Sequence, residues 1–253
     1  FSQLPEDEQT DEARKKPYRL MGRLLRDQDR DIVLNLCQYG MANVWEWGKE
    51  TGHSWRVGGD LGHTLTQGGL YTIAEKNIGI RDYNGPGGWN DPDYLIMGMW
   101  KTPYDKGGPL HPVELSPNEY YSYMSLWCLM ACPLFFSGDM DHVDDFTRNI
   151  LCNTEMIAVN QDPLGVCAEP VFINEEEWVL KKVLQDGSVV VGFFNLSKSE
   201  DRQVRADWGQ LEFCCPQTVR DLWRQMDLGD PVDNAFTVTL GPRGCAVLQF
   251  TGE

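Results

Sequence analysis

The sequence predicts two domains, an α/β domain over residues 1–165 and an antiparallel β-sandwich over residues 166–253. In the first part, apolar segments with a helical period alternate with short runs rich in β-branched residues, a pattern typical of parallel strands joined by helices. Beyond residue 165 the helical period is lost, and short β-rich segments follow one another between turn residues. Strands at this spacing indicate an antiparallel sandwich. We expect the boundary near Val166, after the turn at Pro163-Leu164-Gly165.

The first helix is expected to begin at Pro17, because proline is favoured in the first turn of a helix and apolar residues then recur at helical spacing. Residues 1–14 are polar and acidic and predict a surface loop. The apolar run from Ile32 to Cys37 is β-branched at its start and predicts a buried parallel strand. The segment from Gln38 to Asp60 is rich in Gly and Trp and predicts a long loop with short helical pieces.

A second helix has a clear start signal at Ser116-Pro117-Asn118-Glu119, a capping box with proline at the first helical position. Pro133 should end this helix, and Leu134-Phe135-Phe136 then predicts another short buried strand. A further helix is expected from Val143 to Leu151. The stretch from Gly85 to Asp93 holds too many Gly and Pro residues for a regular helix.

The predicted sandwich consists of β-rich segments separated by turn residues. These segments cover residues 177–184, 189–195, 203–208, 218–223, 235–240 and 244–250. No helix is expected among them.

The charge balance narrows the classes of partner. The formal net charge is −16, with 38 acidic and 22 basic residues. Nucleic acid and anionic membrane surfaces need a basic face, so neither is an expected partner, whereas a neutral sugar is compatible. No run of roughly 18 apolar residues predicts a transmembrane helix, and no signal peptide is visible. The eight cysteines show no CxxC spacing, so no metal site is expected.

Three polar segments follow predicted parallel strands, at the end of the sheet that holds the active site in an α/β barrel. They are Cys37-Gln38-Tyr39-Gly40, Trp55-Arg56-Val57-Gly58-Gly59-Asp60 and Trp89-Asn90-Asp91-Pro92-Asp93. Aromatic rings pack on the apolar face of a pyranose, while carboxylates and Arg hydrogen-bond its hydroxyls. Glycoside hydrolysis further needs two carboxylic groups across the glycosidic bond. The segments therefore predict a sugar site.

These segments resemble those of glycoside hydrolase family 27, the α-galactosidase or melibiase group. The resemblance rests on Cys37-Gln38-Tyr39-Gly40 with Val44-Trp45-Glu46-Trp47-Gly48, on Ser54 to Asp60, on Gly85 to Asp93, on Ala158 to Gly165, and on Arg220-Asp221-Leu222-Trp223. It covers nearly the whole chain. It implies that residues 1–165 form strands five to eight of a (β/α)₈ barrel, and that residues 166–253 form the C-terminal β-sandwich domain of the family.

The resemblance also implies roles for individual residues. Asp60 is the expected general acid/base of a retaining exo-glycosidase acting on terminal α-linked galactose. The expected substrate-binding residues are Arg56, Gln38, Asp93, Trp89 and Cys37. Gln38 stands where many members place a glutamate that contacts the sugar 2-hydroxyl. Asp91 is expected to be structural, and cleavage through paired carboxyls needs neither a metal nor an organic cofactor.

Two features depart from the family pattern. The family's nucleophile is an aspartate at the end of the fourth strand, which would lie before Phe1, so we expect the N-terminal half of the barrel from the same or another polypeptide. Many relatives pair the cysteine at position 37 with one just before the Trp-Arg segment, where this chain has Gly52-His53-Ser54. A strongly oxidising compartment is therefore less well supported. The compartment stays open, with a secreted, periplasmic or lysosomal protein favoured over a cytoplasmic one.

Several alternatives remain open at this stage. Within the family they are α-N-acetylgalactosaminidase, β-L-arabinopyranosidase and isomaltodextran-degrading activities. Members acting on N-acetylgalactosamine carry small residues where this chain has Gln38 and Met41, which favours a substrate with a free 2-hydroxyl. Outside the family's activities, the chain could be a non-catalytic carbohydrate-binding half-barrel. Retention of Arg56 together with Asp60 argues against that alternative.

Overall fold

The computed structural model describes residues 9–63, 65, 68–101, 108–212, 216–229 and 235–252. Within these ranges the first part of the chain alternates helices with short, mainly parallel strands, and the strands from Glu169 onward are antiparallel. The helices of the first part are α1 (Asp11–Arg26), α2 (Val44–Trp47), α3 (Gly69–Gly79), α4 (Pro117–Leu129), α5 (Asp145–Leu151) and α6 (Thr154–Asn160). Short 3₁₀ turns cover Met41–Asn43, Gly48–Glu50, Leu61–His63, Arg81–Tyr83 and Met140–His142.

The start of α4 is as predicted, whereas the start of α1 is not. The Ser116 hydroxyl accepts from the Glu119 N–H at 3.3 Å, and the Glu119 carboxylate accepts from the Ser116 N–H at 2.8 Å, which closes the capping box. Helix α1 begins at Asp11, well before Pro17, because the Thr10 hydroxyl caps the Ala13 N–H at 3.2 Å. Pro17 lies inside α1. Residues 1–8 of the predicted loop lie outside the described ranges.

Parallel strands position the polar segments. The strands of the first part are β1 (Asn35–Leu36), β2 (Ser54–Arg56), β3 (Trp89–Asp91), β4 (Leu95–Ile96), β5 (Met99–Trp100), β6 (His111–Pro112) and β7 (Phe136–Ser137). Strands β1, β2 and β3 form a three-stranded parallel sheet in that order, with Arg56 opposite Asp91. Strand β4 pairs in parallel with β7. Side chains at the ends of β1, β2 and β3 therefore lie at one edge of the sheet.

The second part is a sandwich of unequal sheets. Its strands are β8 (Glu169–Ile173), β9 (Glu177–Val183), β10 (Val189–Asn195), β11 (Arg202–Asp207), β12 (Pro216–Asp221), β13 (Met226–Gly229), β14 (Ala235–Leu240) and β15 (Cys245–Gly252). One sheet has the order β13-β12-β15-β10-β9-β8, and β11 pairs with β14 in the other. Val191 and Phe193 of β10 pack towards the smaller sheet, while Val190 and Phe194 pack into the core around α4. Alternate residues of β10 thus belong to two cores.

The expectation that no helix follows residue 165 is wrong at one point. Residues Trp208–Leu211 form the four-residue helix α7, so β11 ends at Asp207 and not at the predicted Trp208. Asp207 and Gln210 form a capping box, which starts a helical turn where β-propensity predicted a strand end.

Candidate active site

The polar cluster lies where β1, β2 and β3 end. The Gly40 N–H donates to the carbonyl of Arg56 at 2.9 Å, which joins the turn after β1 to the end of β2. The Val57 N–H donates to the carbonyl of Asp91 at 2.9 Å, which joins β2 to β3. These bonds hold three separate segments of the chain at one edge of the sheet.

Arg56 lies at the centre of the cluster and bridges two carboxylates. Its side chain is 6% exposed, and Nη1 lies 3.0 Å from Asp93 Oδ1. Nη2 donates to Asp60 Oδ1 at 3.3 Å and to the carbonyl of Gly59 at 2.8 Å. A buried guanidinium with carboxylates on both ends has a restricted orientation. The Nε atom of Arg56 is buried and has no hydrogen-bond partner within the described structure.

Asp93 is buried and heavily bonded. Its carboxylate accepts from the backbone N–H of Leu61 at 2.7 Å and of Tyr94 at 2.8 Å, in addition to the contact with Arg56. Burial raises the pKa of Asp93, while these donors and the guanidinium act in the opposite direction. The φ angle of Asp93 is 112°, a left-handed backbone conformation that a residue with a side chain rarely adopts.

Asp91 supports the loop, as expected for a structural residue. It is fully buried, and its carboxylate accepts from Asn35 Nδ2 at 2.6 Å and from the Asp93 N–H at 2.9 Å. Burial raises the pKa of Asp91, and these two donors partly offset the effect. The Asn35–Asp91 bond also ties β1 to β3 across the sheet.

Asp60 is the more accessible carboxylate of the cluster. Its side chain is 38% exposed, against 4% for Asp93, and it lies four residues after Arg56 in the sequence. A carboxyl group that must donate a proton to a substrate and then accept one from water needs such access. Of the carboxylates in contact with Arg56, Asp60 has the geometry for that role.

The turn after β1 brings Cys37, Gln38 and Tyr39 to the same edge. Gln38 is 3% exposed, whereas Cys37 is exposed and forms no disulfide with another described cysteine. Tyr39 has a left-handed φ of 56°, and its ring lies over Arg56, with 5.5 Å between the ring centroid and the guanidinium carbon. A hydrogen bond with the Cys37 side chain raises the pKa of Tyr39 to about 12. Tyr39 was not among the residues that the sequence singled out, although it lies inside the Cys-Gln-Tyr-Gly motif.

Trp89 is not part of this cluster. It occupies the amino end of β3, opposite Ser54, whereas Arg56 and Asp91 occupy the carboxyl ends of β2 and β3. An added Cβ on Gly165 would come within 2.6 Å of the Trp89 indole, so the ring packs against the segment that leads out of α6. Trp55 is fully buried and donates to Asn90 at 2.7 Å, a core position.

Two aromatic residues of α4 hold the loop that carries Asp93. The indole N–H of Trp127 donates to the carbonyl of Asp93 at 2.9 Å, and the Tyr123 hydroxyl donates to the carbonyl of Tyr94 at 2.6 Å. From sequence, Trp127 is one of the apolar residues of a helix. The signal that could have identified it is that the N–H of a buried Trp, like the O–H of a buried Tyr, needs a hydrogen-bond acceptor.

Neither a metal-binding cluster nor a membrane-spanning helix occurs within the described ranges. They contain no group of three or more His, Cys, Asp or Glu side chains that could hold a metal ion. Among them, no helix is both long and apolar enough to cross a membrane.

Comparisons with known proteins agree across sequence and structure. A family model described as alpha galactosidase A matches residues 8–162, and one described as the alpha galactosidase C-terminal beta sandwich domain matches residues 175–250. Alpha-galactosidase 3 of Arabidopsis thaliana is 34% identical over 241 residues, which cover 93% of this chain and 52% of the relative. The alpha-galactosidase of Cyamopsis tetragonoloba is 36% identical over 211 residues, covering 83% and 47%. The chain spans about half the length of these curated relatives.

Solved structures show the same fold. A candidate α-galactosidase/melibiase of Bacteroides fragilis superposes with a TM-score of 0.87 at 32% identity, covering 98% of this chain and 53% of that one. A glycoside hydrolase family 27 β-L-arabinopyranosidase of Geobacillus stearothermophilus superposes with a TM-score of 0.84 at 25% identity, covering 94% and 54%.

Proposed function

This chain belongs to the α-galactosidase family of glycoside hydrolases, and we propose that it forms part of a retaining exo-glycosidase that removes terminal α-linked galactose. The observation that carries the proposal is the contact of Arg56 with both Asp60 and Asp93 at the carboxyl ends of parallel strands. The half-barrel position in a (β/α)₈ barrel, strands five to eight, is part of the proposal, as is a domain boundary near Val166.

Asp60 acts first as acid and then as base in the proposed mechanism. It protonates the glycosidic oxygen while a second carboxylate attacks the anomeric carbon, so the aglycone leaves and a covalent glycosyl-enzyme forms. Asp60 is then ionised and removes a proton from water, whose oxygen attacks the anomeric carbon and releases the sugar with its configuration retained. The exposure of Asp60 allows both the leaving group and the water to reach its carboxyl.

Arg56 and the turn after β1 bind the sugar in this proposal. Arg56 is held by Asp93, so one end of its guanidinium is oriented while the other end faces Asp60 and the substrate hydroxyls. Gln38 contacts the 2-hydroxyl through its carboxamide, and Cys37 lines the rim. Trp89 is left out of the proposed binding residues, because it occupies the other end of β3.

The second carboxylate, the nucleophile, comes in this proposal from the N-terminal half of the barrel, on the same or another polypeptide. Relatives about twice as long as this chain support the proposal. Exposed apolar side chains also support it, since Val33 before β1 is 76% exposed and Leu20, Met21 and Leu24 of α1 are each nearly half exposed. Surfaces of this kind require a covering partner, for which the remaining barrel strands and helices are suited.

The experiment is to replace Asp60 by Asn in the full-length enzyme and assay two substrate types with and without azide. On α-galactosides with poor leaving groups we expect kcat/KM to fall on the order of 10²–10⁴-fold, because proton donation is lost. The first step should survive better on an aryl α-galactoside with an activated leaving group, and azide should restore turnover, because this anion needs no general base.

A matched control is Asp82→Asn, which changes an aspartate with an 89% exposed side chain on the 3₁₀ turn Arg81–Tyr83 and should leave kinetics unchanged. An equal loss on both substrates without azide rescue would show that Asp60 is not the acid/base. Aryl β-L-arabinopyranoside, which lacks the hydroxymethyl group of galactose, and aryl N-acetyl-α-galactosaminide are assayed alongside. Faster turnover of either would overturn the galactose assignment while keeping the mechanism.

A further inference from the structure

We infer that Tyr123 and Trp127 of α4 are positioning residues that hold Asp93, and through it Arg56, in the orientation the site requires. The inference rests on the proposed function of the Arg56–Asp60 pair. Both residues donate to backbone carbonyls of the Asp93 loop, and neither was selected from sequence as a site residue.

The two side chains donate hydrogen bonds to successive carbonyl groups of the loop that carries Asp93. Trp127 Nε1 donates to the carbonyl of Asp93 at 2.9 Å, and the Tyr123 hydroxyl donates to the carbonyl of Tyr94 at 2.6 Å and accepts from the Ile96 N–H at 3.4 Å. Both rings are 0% exposed and pack edge to face, with ring centroids 4.6 Å apart. They lie one turn apart on α4, so the loop is bound to a regular helix.

The loop needs this support because of its backbone conformation. Asp93 has a φ of 112°, and such conformations persist only where surrounding contacts determine them. On the carboxylate side of Asp93, Arg56 and the Leu61 N–H supply contacts at 3.0 and 2.7 Å. On the carbonyl side, the donor is Trp127. Without the α4 donors, buried carbonyls would lack partners and the loop would relax towards an ordinary conformation.

A movement of Asp93 is transmitted to the reacting groups by direct contacts. Asp93 Oδ1 lies 3.0 Å from Arg56 Nη1, and Arg56 Nη2 lies 3.3 Å from Asp60 Oδ1. Arg56 Nε has no partner within the described structure, so Asp93 is the main fixed anchor of the buried guanidinium on that side. A shift of the guanidinium changes where Asp60 and the sugar hydroxyls are held.

Tyr120 provides a matched comparison on the same helix. Its hydroxyl accepts from the Gly98 N–H at 3.1 Å, as the Tyr123 hydroxyl accepts from the Ile96 N–H at 3.4 Å, whereas Tyr123 also donates to the carbonyl of Tyr94. Tyr120 is 7% exposed and Tyr123 is 0% exposed. Tyr120→Phe and Tyr123→Phe therefore each remove one hydroxyl from α4, but only the second removes a contact next to Asp93.

The experiment compares Tyr123→Phe with Tyr120→Phe in the full-length enzyme, with Trp127→Phe as a second variant that removes the donor to Asp93. We expect both tyrosine variants to lose Tm, Tyr123→Phe by more, because its buried hydroxyl makes the two bonds to Tyr94 and Ile96. We expect kcat to fall between about 10- and 100-fold for Tyr123→Phe with a smaller change in KM, and by less than about twofold for Tyr120→Phe. Equal kcat losses in the two tyrosine variants would overturn the inference.

Crystal structures of the same variants test positioning separately from activity. In Tyr123→Phe or Trp127→Phe the distance between Asp93 Oδ1 and Arg56 Nη1 should increase, and in Tyr120→Phe it should remain near 3.0 Å. An unchanged distance in Tyr123→Phe and Trp127→Phe would overturn the inference even in an active enzyme. If the distance increases as expected but the wild-type enzyme cleaves no glycoside, the result counts against the proposed function alone.

Discussion

Asp91 and Asp93, two residues apart at the end of β3, have different surroundings. Asp91 accepts from Asn35 and from the Asp93 N–H, so its contacts are structural. Asp93 contacts Arg56, whose other end reaches Asp60. Asp91 therefore supports the backbone, whereas Asp93, two positions later, orients the charged side chain of Arg56.

The pKa of Asp91 leads to a prediction about stability. Burial raises this pKa above the ordinary value of 3.8, so the folded state binds the proton more tightly than the unfolded state does. Stability from this group is present at low pH and is lost as pH rises through the raised folded pKa. In Asp91→Asn that loss is absent, so the Tm difference, variant minus wild type, should increase as pH rises from 3.8 and then level off. Thermal unfolding measured across this pH range checks it.

Asp186→Asn should show the opposite trend. A hydrogen bond from Ser188 lowers the pKa of Asp186 below 3.8, so this carboxylate stabilises the fold above that pH and the stabilisation is lost in acid. The Tm difference between Asp186→Asn and wild type should therefore become more negative as pH rises towards 3.8. If the Tm difference changes with pH in the same direction in both variants, the pH dependence seen for Asp91→Asn does not come from the burial of Asp91.

At the scale of elements, the turn after β1 determines how Gln38 and Tyr39 reach the end of β2. Gly40 has a φ of 78° and donates its N–H to the carbonyl of Arg56 at 2.9 Å. A Cβ at this position would come within 2.3 Å of the carbonyl oxygen of Val57, a backbone atom that cannot move aside. Both the dihedral angle and the close approach require glycine.

Gly40→Ala is therefore expected to destabilise the protein by on the order of 1–3 kcal/mol and to raise KM, because the turn can no longer hold Gln38 at the site. Gly79→Ala is the control, since nothing lies within 4 Å of its added Cβ. Chemical denaturation and steady-state kinetics on both variants provide the test. If Gly40→Ala is as stable as Gly79→Ala, the turn after β1 does not require glycine at position 40.

At the scale of the whole molecule, charged side chains of the sandwich are bonded to helices of the first part. Lys182 of β9 is 1% exposed, and its ammonium donates to the carbonyls of Val159 at 2.7 Å and of Cys128 at 3.3 Å, in the last turns of α6 and α4. Arg220 of β12 binds Glu155 of α6 through two bonds of 2.6 and 2.9 Å. The sandwich thereby fixes α4, the helix that holds the Asp93 loop.

Arg220→Lys should lower the Tm, because an ammonium cannot reproduce the two parallel bonds to Glu155. Arg205→Lys is the matched control, since Arg205 also makes two bonds to one carboxylate, Asp207, but both side chains are exposed and belong to the same strand, β11. Differential scanning calorimetry should show a lower Tm for Arg220→Lys only. Equal shifts in both would mean that the contact between the sandwich and α6 adds no particular stability.

Much of this architecture could be predicted from the sequence, because it depends on local signals. The capping box at Ser116 and the strands from Val189 and Ala235 follow from residue types a few positions apart. The predicted start of α1 is wrong, because the proline signal at Pro17 competes with the capping threonine Thr10 and the threonine starts the helix. The motif around Arg56 and Asp60 identified the family, because short Gly-rich segments at strand ends have a recognisable order of residues. The roles of Arg56 and Asp60 at the site stay predictions.

Only the tertiary structure decided which residues of those motifs meet. Trp89 and Asp93 belong to one motif, yet Trp89 occupies the amino end of β3, whereas Asp93 follows its carboxyl end. The extended strand between them keeps the two side chains apart in space. Conversely, Trp127 and Asp93 are 34 residues apart in sequence and are joined by a hydrogen bond. Such contacts depend on how α4 packs across the sheet. Residue types and spacing along the chain do not determine that packing, because it results from the burial of many side chains at once.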